Sequence, residues 1–230
     1  MIMLHLIGIG PGDPELLTVK AARLLKEADV IYVPQSREDG RSVARTIIAP
    51  YANDSTVEMA FVPMRQDRSL ALSQYQKLAD LIVERAKKGL KQVFVTLGDP
   101  MVYSTALYLS EHVAMQGVTY EFVPGIPSFI AAANCAGISL GSGRESFVVT
   151  TMPAEEKILL TLANNYDAVV IMKINKKMPV LLDYIQHHAP KSAVLVHRLG
   201  MKDEQVFDFT EGTFPEDIGY LSTAVIRQRG

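Results

Sequence analysis

Short, nearly continuous apolar runs alternate along the first half of the chain with longer stretches whose apolar positions recur every three or four residues. Ile2 to Ile7, Val30-Ile31-Tyr32-Val33, Val57 to Val62, Gln92 to Leu97 and Tyr120-Glu121-Phe122-Val123 read as buried strands. Pro34 is expected to stop the second of them, because proline donates nothing to a ladder. The intervening periodic stretches read as helices. One follows Leu17, with Thr18 as N-cap and Ala21, Ala22, Leu24, Leu25 and Ala28 inward. A second holds Val43, Ala44, Ile47 and Ile48, and Leu70 to Lys88 is amphipathic and closed by Gly89. A fourth carries Ala106, Leu107, Leu109, Val113 and Met115. Strands alternating with helices imply a parallel sheet with crossover helices.

A helix rich in small residues, with Ala131, Ala132, Ala133 and Ala136, ends at Gly137, and Gly141-Ser142-Gly143 reads as a flexible connector. A domain boundary is therefore expected there, giving domains 1–143 and 144–230. The second half starts with a strand from Phe147 to Thr151, then a helix near Glu155 to Asn164 and a strand from Ala168 to Met172. A helix near Met178 to His188 and a strand from Ala193 to Val196 come next. Gln205 to Glu211 and Leu221 to Arg227 lose the helical period and read as antiparallel strands, so this half is expected to be mixed α/β.

Composition narrows the class. The 230 residues are 48% hydrophobic and 21% charged, as in a globular protein with a substantial core. A formal charge of −2 gives no electrostatic case for nucleic acid or an anionic membrane as partner. The single cysteine, Cys135, rules out an internal disulfide and a CxxC zinc cluster, and points to a reducing, cytoplasmic setting. No apolar run approaches the roughly 18–20 residues that span a bilayer. The run at the amino terminus lacks a basic leader and meets a Gly/Pro/Asp turn too early for a signal peptide.

Strand ends carry the candidate chemistry. Gly8-Ile9-Gly10-Pro11-Gly12-Asp13-Pro14 follows the first strand, Gly98-Asp99-Pro100-Met101-Val102-Tyr103-Ser104-Thr105 the fourth, and Pro124-Gly125-Ile126-Pro127-Ser128 the fifth. Glycine lets the chain turn and approach a ligand closely, and Asp99 sets a carboxylate where open α/β sheets bind ligands. Ser104 or Thr105 can cap the helix that follows. Each turn alone is also what an ordinary strand-to-helix connection looks like. The first lacks the third glycine of a dinucleotide fingerprint, since Asp13 stands there, and Pro11 removes an N–H that a pyrophosphate would need. No Gly-Lys-Ser/Thr is present, which excludes a P-loop. Ser128 lacks the frame of a hydrolase elbow.

His5, His112, His187, His188 and His197 have no metal-ligand spacing, and adjacent His187 and His188 are not expected to share one helical face. Met101, Met152, Met172 and Met178 read as core filler. Arg37, Arg41, Arg65, Arg144 and Arg198 fall at or near loops, where they are either solvated surface or clamps for a polyanion.

Taken in register, the three turns resemble the signatures of the tetrapyrrole (precorrin/uroporphyrin) methylases, in order and spacing, over the whole chain. Gly8 to Pro14 with Leu16-Leu17-Thr18 looks like the first motif, Leu97-Gly98-Asp99-Pro100 the second, and Val123-Pro124-Gly125-Ile126-x-Ser128 the third. The sequence from Gly98 to Thr105 and the stretch from Pro34 to Ser42 look most like the carbon-20 methyltransferases of precorrin-2 or its cobalt-bearing counterpart. Carbon-11 and carbon-17 enzymes usually carry Tyr-Gly where this chain has Tyr103-Ser104. Pro127 departs from the Thr of many relatives, so the hydroxyl contact expected there is missing or falls to Ser128.

The resemblance implies two α/β domains with the active site in the cleft between them, and S-adenosylmethionine as methyl donor, leaving as S-adenosylhomocysteine. By motif, the donor would meet Leu97, Gly98, Asp99 and Val102, then Pro127 and Ser128. Met172, Leu199, Ala224 and Val225 would complete its site from the second domain. Pro11 would shape a tetrapyrrole trough, Arg37 and Arg41 would meet the macrocycle's carboxylates, and Asp99 or Tyr103 would orient substrate or assist proton loss. The family also implies a homodimer and needs no protein-bound metal. The rival readings are methylation at carbon 11 or 17, and a nucleotide-binding module that has lost catalysis.

Overall fold

The computed structural model describes residues 4–35, 42–62, 68–174, 177–209 and 218–228. They form two compact units, Met1–Pro127 and Ser128–Gly230.

In the first unit, strands β1 (Leu4–Gly8), β2 (Val30–Gln35), β3 (Val57–Phe61), β4 (Gln92–Thr96) and β5 (Tyr120–Val123) make one sheet in the order β3-β2-β4-β1-β5. Every pairing is parallel. Helices α1 (Val19–Glu27), α2 (Val43–Ile48), α3 (Arg68–Lys87) and α4 (Ala106–Met115) are the crossovers. Because side chains alternate across a strand, neighbours in sequence belong to different cores. Leu4, Leu6, Tyr32 and Phe94 pack with Tyr75, Ala79 and Ile82 of α3 and with Leu109 and Val113 of α4. Ile7, Ile31, Val33, Val93 and Val95 pack with Ala21 and Leu25 of α1 and Ile47 and Ile48 of α2. Burial on both faces explains the near-continuous apolar runs. Thr18 caps α1 as expected, its Oγ1 accepting from the Ala21 amide at 3.2 Å.

Pro34 does not stop β2, which continues to Gln35. Gln35 O accepts from Val62 N at 2.9 Å, so Gln35 faces β3 and the proline nitrogen faces the other way. On that side pairing with β4 ends at Tyr32, and no ladder bond is lost.

The second unit begins one helix earlier than the expected boundary near 143. Helix α5 (Ser128–Ala136) belongs to it, laying Ala132 and Ala133 on Val170, Val194, Val196 and Val225. Those small residues allow the helix to sit close on the sheet. Gly141-Ser142-Gly143 is a pinned turn: Ser142 N donates to Glu145 at 2.8 Å, and Glu145 pairs with Arg227. Strands β6 (Phe147–Thr151), β7 (Ala168–Met172), β8 (Ser192–His197), β9 (Gln205–Asp208) and β10 (Ser222–Arg227) are ordered β6-β7-β10-β8-β9. The β6-β7 pair is parallel and the other three pairs are antiparallel, so the sheet is mixed. Helices α6 (Glu156–Asn165) and α7 (Met178–His188) cover its second face through Leu159, Leu181 and Tyr184.

Candidate functional site

Three loops leave the carboxyl ends of β1, β4 and β5, which are neighbours in the first sheet, so they are neighbours in space. The first two are joined by backbone: Gly98 N donates to Gly10 O at 2.8 Å and Gly10 N to Gly98 O at 3.2 Å. The second and third are joined through Asp99. Its Oδ2 accepts from Gly125 N at 3.0 Å and its Oδ1 from Met101 N at 2.8 Å. The approach is so close that a Cβ on Gly125 would lie 2.2 Å from Gly98 O, and one on Gly8 2.6 Å from the same atom. Both positions need glycine for lack of space.

Past Asp99 the loop is shaped for display. Tyr103 has φ 49° and is 47% exposed. A non-glycine residue in the left-handed region costs about 1–2 kcal/mol, and such outliers gather at functional sites. Ser104 Oγ lies 2.9 Å from Thr96 Oγ1 and accepts from Ala106 N at 3.1 Å, so the serine both caps α4 and ties the loop to the end of β4. Thr105 makes no side-chain cap, which assigns the capping role to Ser104. Behind α4, burial pushes the Tyr75 phenol up to about 12, so it stays protonated at neutral pH.

The first loop uses its aspartate as a cap. Asp13 Oδ1 accepts from Glu15 N at 2.8 Å at the start of a single turn of helix over Pro14–Leu16. Pro11 is buried. Leu97 and Val102 are half-buried and Gly98 is buried. Thus Pro11, Leu97, Gly98, Asp99, Val102, Tyr103 and Pro127 all fall in the first unit, on or beside the joined loops. Arg37, Arg41 and Arg65 lie outside the described residues.

Ser128, Met172, Leu199, Ala224 and Val225 fall in the second unit. Ser128 opens α5, and Thr223 Oγ1 lies 3.4 Å from its Oγ. Leu199 packs against the core under α5, together with Val225. Ala224 faces the opposite core, and neither it nor Val225 has any exposed surface. Thr223, missed in sequence, is the residue of β10 whose polar side chain turns toward Ser128; its β-branched shape had marked it only as strand. Lys173 and Arg198, each one residue beyond its strand (β7 and β8), have φ 58° and 53°, so both strand ends carry a left-handed non-glycine residue.

Elsewhere, two expectations need correcting. Met101 is exposed, whereas Met152, Met172 and Met178 are core as expected. His187 and His188, though adjacent, both approach Glu156 Oε1, at 3.0 and 3.3 Å. Among the described residues no group of His, Cys, Asp and Glu could hold a metal, and no helix is long and apolar enough to cross a membrane.

Residues 3–215 match the family model of the tetrapyrrole (corrin/porphyrin) methylases. The chain belongs to that family. Among these methylases it is 32% identical over 224 residues to a probable cobalt-precorrin-2 C(20)-methyltransferase of Methanocaldococcus jannaschii, covering 96% of this chain and 94% of that one. To the cobalt-precorrin-2 C(20)-methyltransferase of Salmonella typhimurium it is 33% identical over 172 residues, covering 74% and 72%. The uroporphyrin-III C-methyltransferase of Thermus thermophilus, solved with S-adenosylhomocysteine, has the same fold: TM-score 0.67 at 22% identity, covering 98% of this chain and 97% of that one.

Proposed function

We propose that this methylase transfers a methyl group from S-adenosylmethionine to carbon 20 of precorrin-2 or cobalt-factor II. Methyl transfer to a tetrapyrrole comes with the family; the ring position is the finer reading. It is supported by the Tyr103-Ser104 turn, in which Ser104 bonds Thr96 and caps α4 where carbon-11 and carbon-17 enzymes usually have glycine. Likeness along nearly the whole chain to a relative named for carbon 20 supports it further.

The loop after β4 suits a sulfonium ligand. Leu97 and Val102 offer half-buried apolar surface on either side of the Gly98-Asp99-Pro100 turn. A donor held there would supply an electrophilic methyl carbon for the ring carbon. The protein's own task is to orient the reactants and exclude water, and orientation alone can account for roughly 7–11 kcal/mol of barrier. Tyr103, held out from the loop by its strained backbone, is the residue we assign to orienting the macrocycle or assisting loss of the carbon-20 proton. Arg37 and Arg41 are assigned to the macrocycle's carboxylates, which Arg pairs bidentately.

The deciding experiment is NMR of the product formed from precorrin-2 or cobalt-factor II and a donor carrying a ¹³C methyl. Label on carbon 20 is expected; label on carbon 11 or 17 overturns the assignment. Thermal stabilisation by S-adenosylhomocysteine, with none from ATP or NAD, is the expected companion result, and the reverse pattern would favour a nucleotide-binding module.

A further inference from the structure

The Asp99 carboxylate has its oxygens engaged inside the fold. One accepts from Met101 N within its own loop, at 2.8 Å, and the other from Gly125 N on the next loop, at 3.0 Å. Both donors are backbone amides, which never give up their protons at working pH. A carboxylate held this way has both oxygens turned to backbone donors and aimed away from a reacting group. Around it, the Gly10–Gly98 pair joins the first loop to the second by backbone alone. Asp99 is therefore the side-chain link that carries the connection on to the third loop. Backbone crowding at Gly8, Gly98 and Gly125 shows that the link closes at contact distance, without slack.

We infer that Asp99 is a positioning residue: its carboxylate locks the loop after β5 to the loop after β4 and so presets the donor-binding backbone, and it does not exchange a proton in the reaction. The donor-binding half of this inference rests on the function proposed above. The link itself is a property of the first unit alone.

Asp99→Asn separates the roles. Asparagine keeps one acceptor oxygen but turns an amide nitrogen toward the other backbone N–H, so one of the two bonds must be lost. Losing one charge-assisted hydrogen bond should weaken S-adenosylhomocysteine binding and raise the donor KM about tenfold or more. The KM for the tetrapyrrole, the shape of the pH–rate profile and kcat at saturating donor should change little. Amide hydrogen exchange at Gly125 or Met101 should quicken. A fall of kcat by about 10²–10⁴ at saturating donor, with a limb of the pH profile removed, would identify a general base and overturn the inference. Unchanged donor affinity would overturn it equally.

Should the variant not fold, the wild-type protein still decides. Both amides should exchange slowly although their loops are partly exposed, and free exchange at Gly125 would refute the link. Failure of the wild-type protein to bind S-adenosylhomocysteine would sink the proposed function, and with it the donor half of the inference.

Discussion

Asp99 holds the Gly125 amide at 3.0 Å, and Gly125 in turn lies so near the Gly98 carbonyl that no side chain fits between them. Attraction from a carboxylate and exclusion of a Cβ act on the same residue. The obstruction is backbone on every side, since the nearest atoms to that Cβ are Gly98 O and the Gly8 carbonyl carbon and Cα. Nothing there can rotate away. Gly125→Ala should therefore cost at least the roughly 1–3 kcal/mol typical of overpacking, and lie at its upper end or beyond. Gly89→Ala is the control: it has φ +77° with open space around its Cβ, and should cost only the left-handed penalty of about 1–2 kcal/mol. Urea unfolding midpoints of the two variants compare them directly. A Gly125→Ala protein as stable as the control would mean that the three loops are not packed as described.

Deep in the first unit, Gln92 has no exposed surface, yet both of its side-chain polar atoms are hydrogen-bonded. Its Oε1 accepts from Tyr32 Oη at 2.7 Å, its Nε2 donates to Ile82 O at 3.0 Å, and Arg85 Nη1 donates to Tyr32 Oη at 3.1 Å. Burial raises the Tyr32 phenol above its ordinary range, with the Arg85 hydrogen bond opposing, so the phenol remains a donor. Tyr32→Phe would strand Gln92 Oε1 in the core, at a cost of about 1–3 kcal/mol. Removing both polar groups in Tyr32→Phe/Gln92→Leu should cost less than the sum of the single changes, because neither partner is then left unpaired. Chemical denaturation of the four proteins in this cycle tests the coupling; strict additivity would deny it.

Much of the fold was legible because burial on both faces of the first sheet writes itself as unbroken apolar runs. Helix ends were legible where a side chain does the capping, as at Thr18. What escaped depends on partners distant in sequence. Pro34 reads as a stop until β4 is seen to end its pairing at Tyr32. Gly141 to Gly143 reads as a linker until Arg227 is found on Glu145, 82 residues away. Of the candidate site, the three loops and their meeting could be read from motif order. The job of Asp99 could not, because nothing local to residue 99 shows that Gly125 will stand in front of it. Nor could the opposite faces of Ala224 and Val225, which follow from the alternation of β10 once its neighbours are known.

His197 should give the protein a pH-dependent stability. Burial lowers its pKa below the ordinary imidazole value, the nearby Arg198 charge adds to this, and Asp203 opposes it. Ser222 Oγ donates to Gly219 O at 2.7 Å, so it accepts from His197 Nδ1 at 2.8 Å, and the neutral ring carries its proton there. With the folded value below an unfolded value of about 6.5, the unfolded chain binds more protons across that interval. Stability is then complete above about pH 6.5 and falls as the pH drops through the lowered folded value. His197→Asn, which can still donate to Ser222, should flatten this part of the profile. Burial lowers His5 in the same direction, so the slope should shrink and not vanish. Unfolding free energies of both proteins between about pH 5 and 7 give the comparison; parallel curves would show that His197 is not a source of the slope.

Tyr103 should show stability and activity pulling apart. Its φ of 49° carries a strain of about 1–2 kcal/mol that glycine would not feel, while glycine adds back roughly 0.5–1 kcal/mol of unfolded-state entropy. The backbone part of Tyr103→Gly should therefore change stability by about 1 kcal/mol or less in the favourable direction, and any loss beyond that reads the contacts of the side chain itself. If the strain is kept because the ring orients the macrocycle, the same variant should lose turnover and raise the tetrapyrrole KM, with donor affinity little changed. Tyr103→Phe keeps the ring and removes the hydroxyl, so it divides the two parts of the proposed role. A slowed single-turnover rate in Tyr103→Phe would assign the hydroxyl to the proton step. A near-normal rate there, with a slow Tyr103→Gly, would leave the ring as the element that matters. Near-normal rates in both variants would remove Tyr103 from the mechanism altogether and leave its strained backbone as a consequence of how Ser104 must reach Thr96.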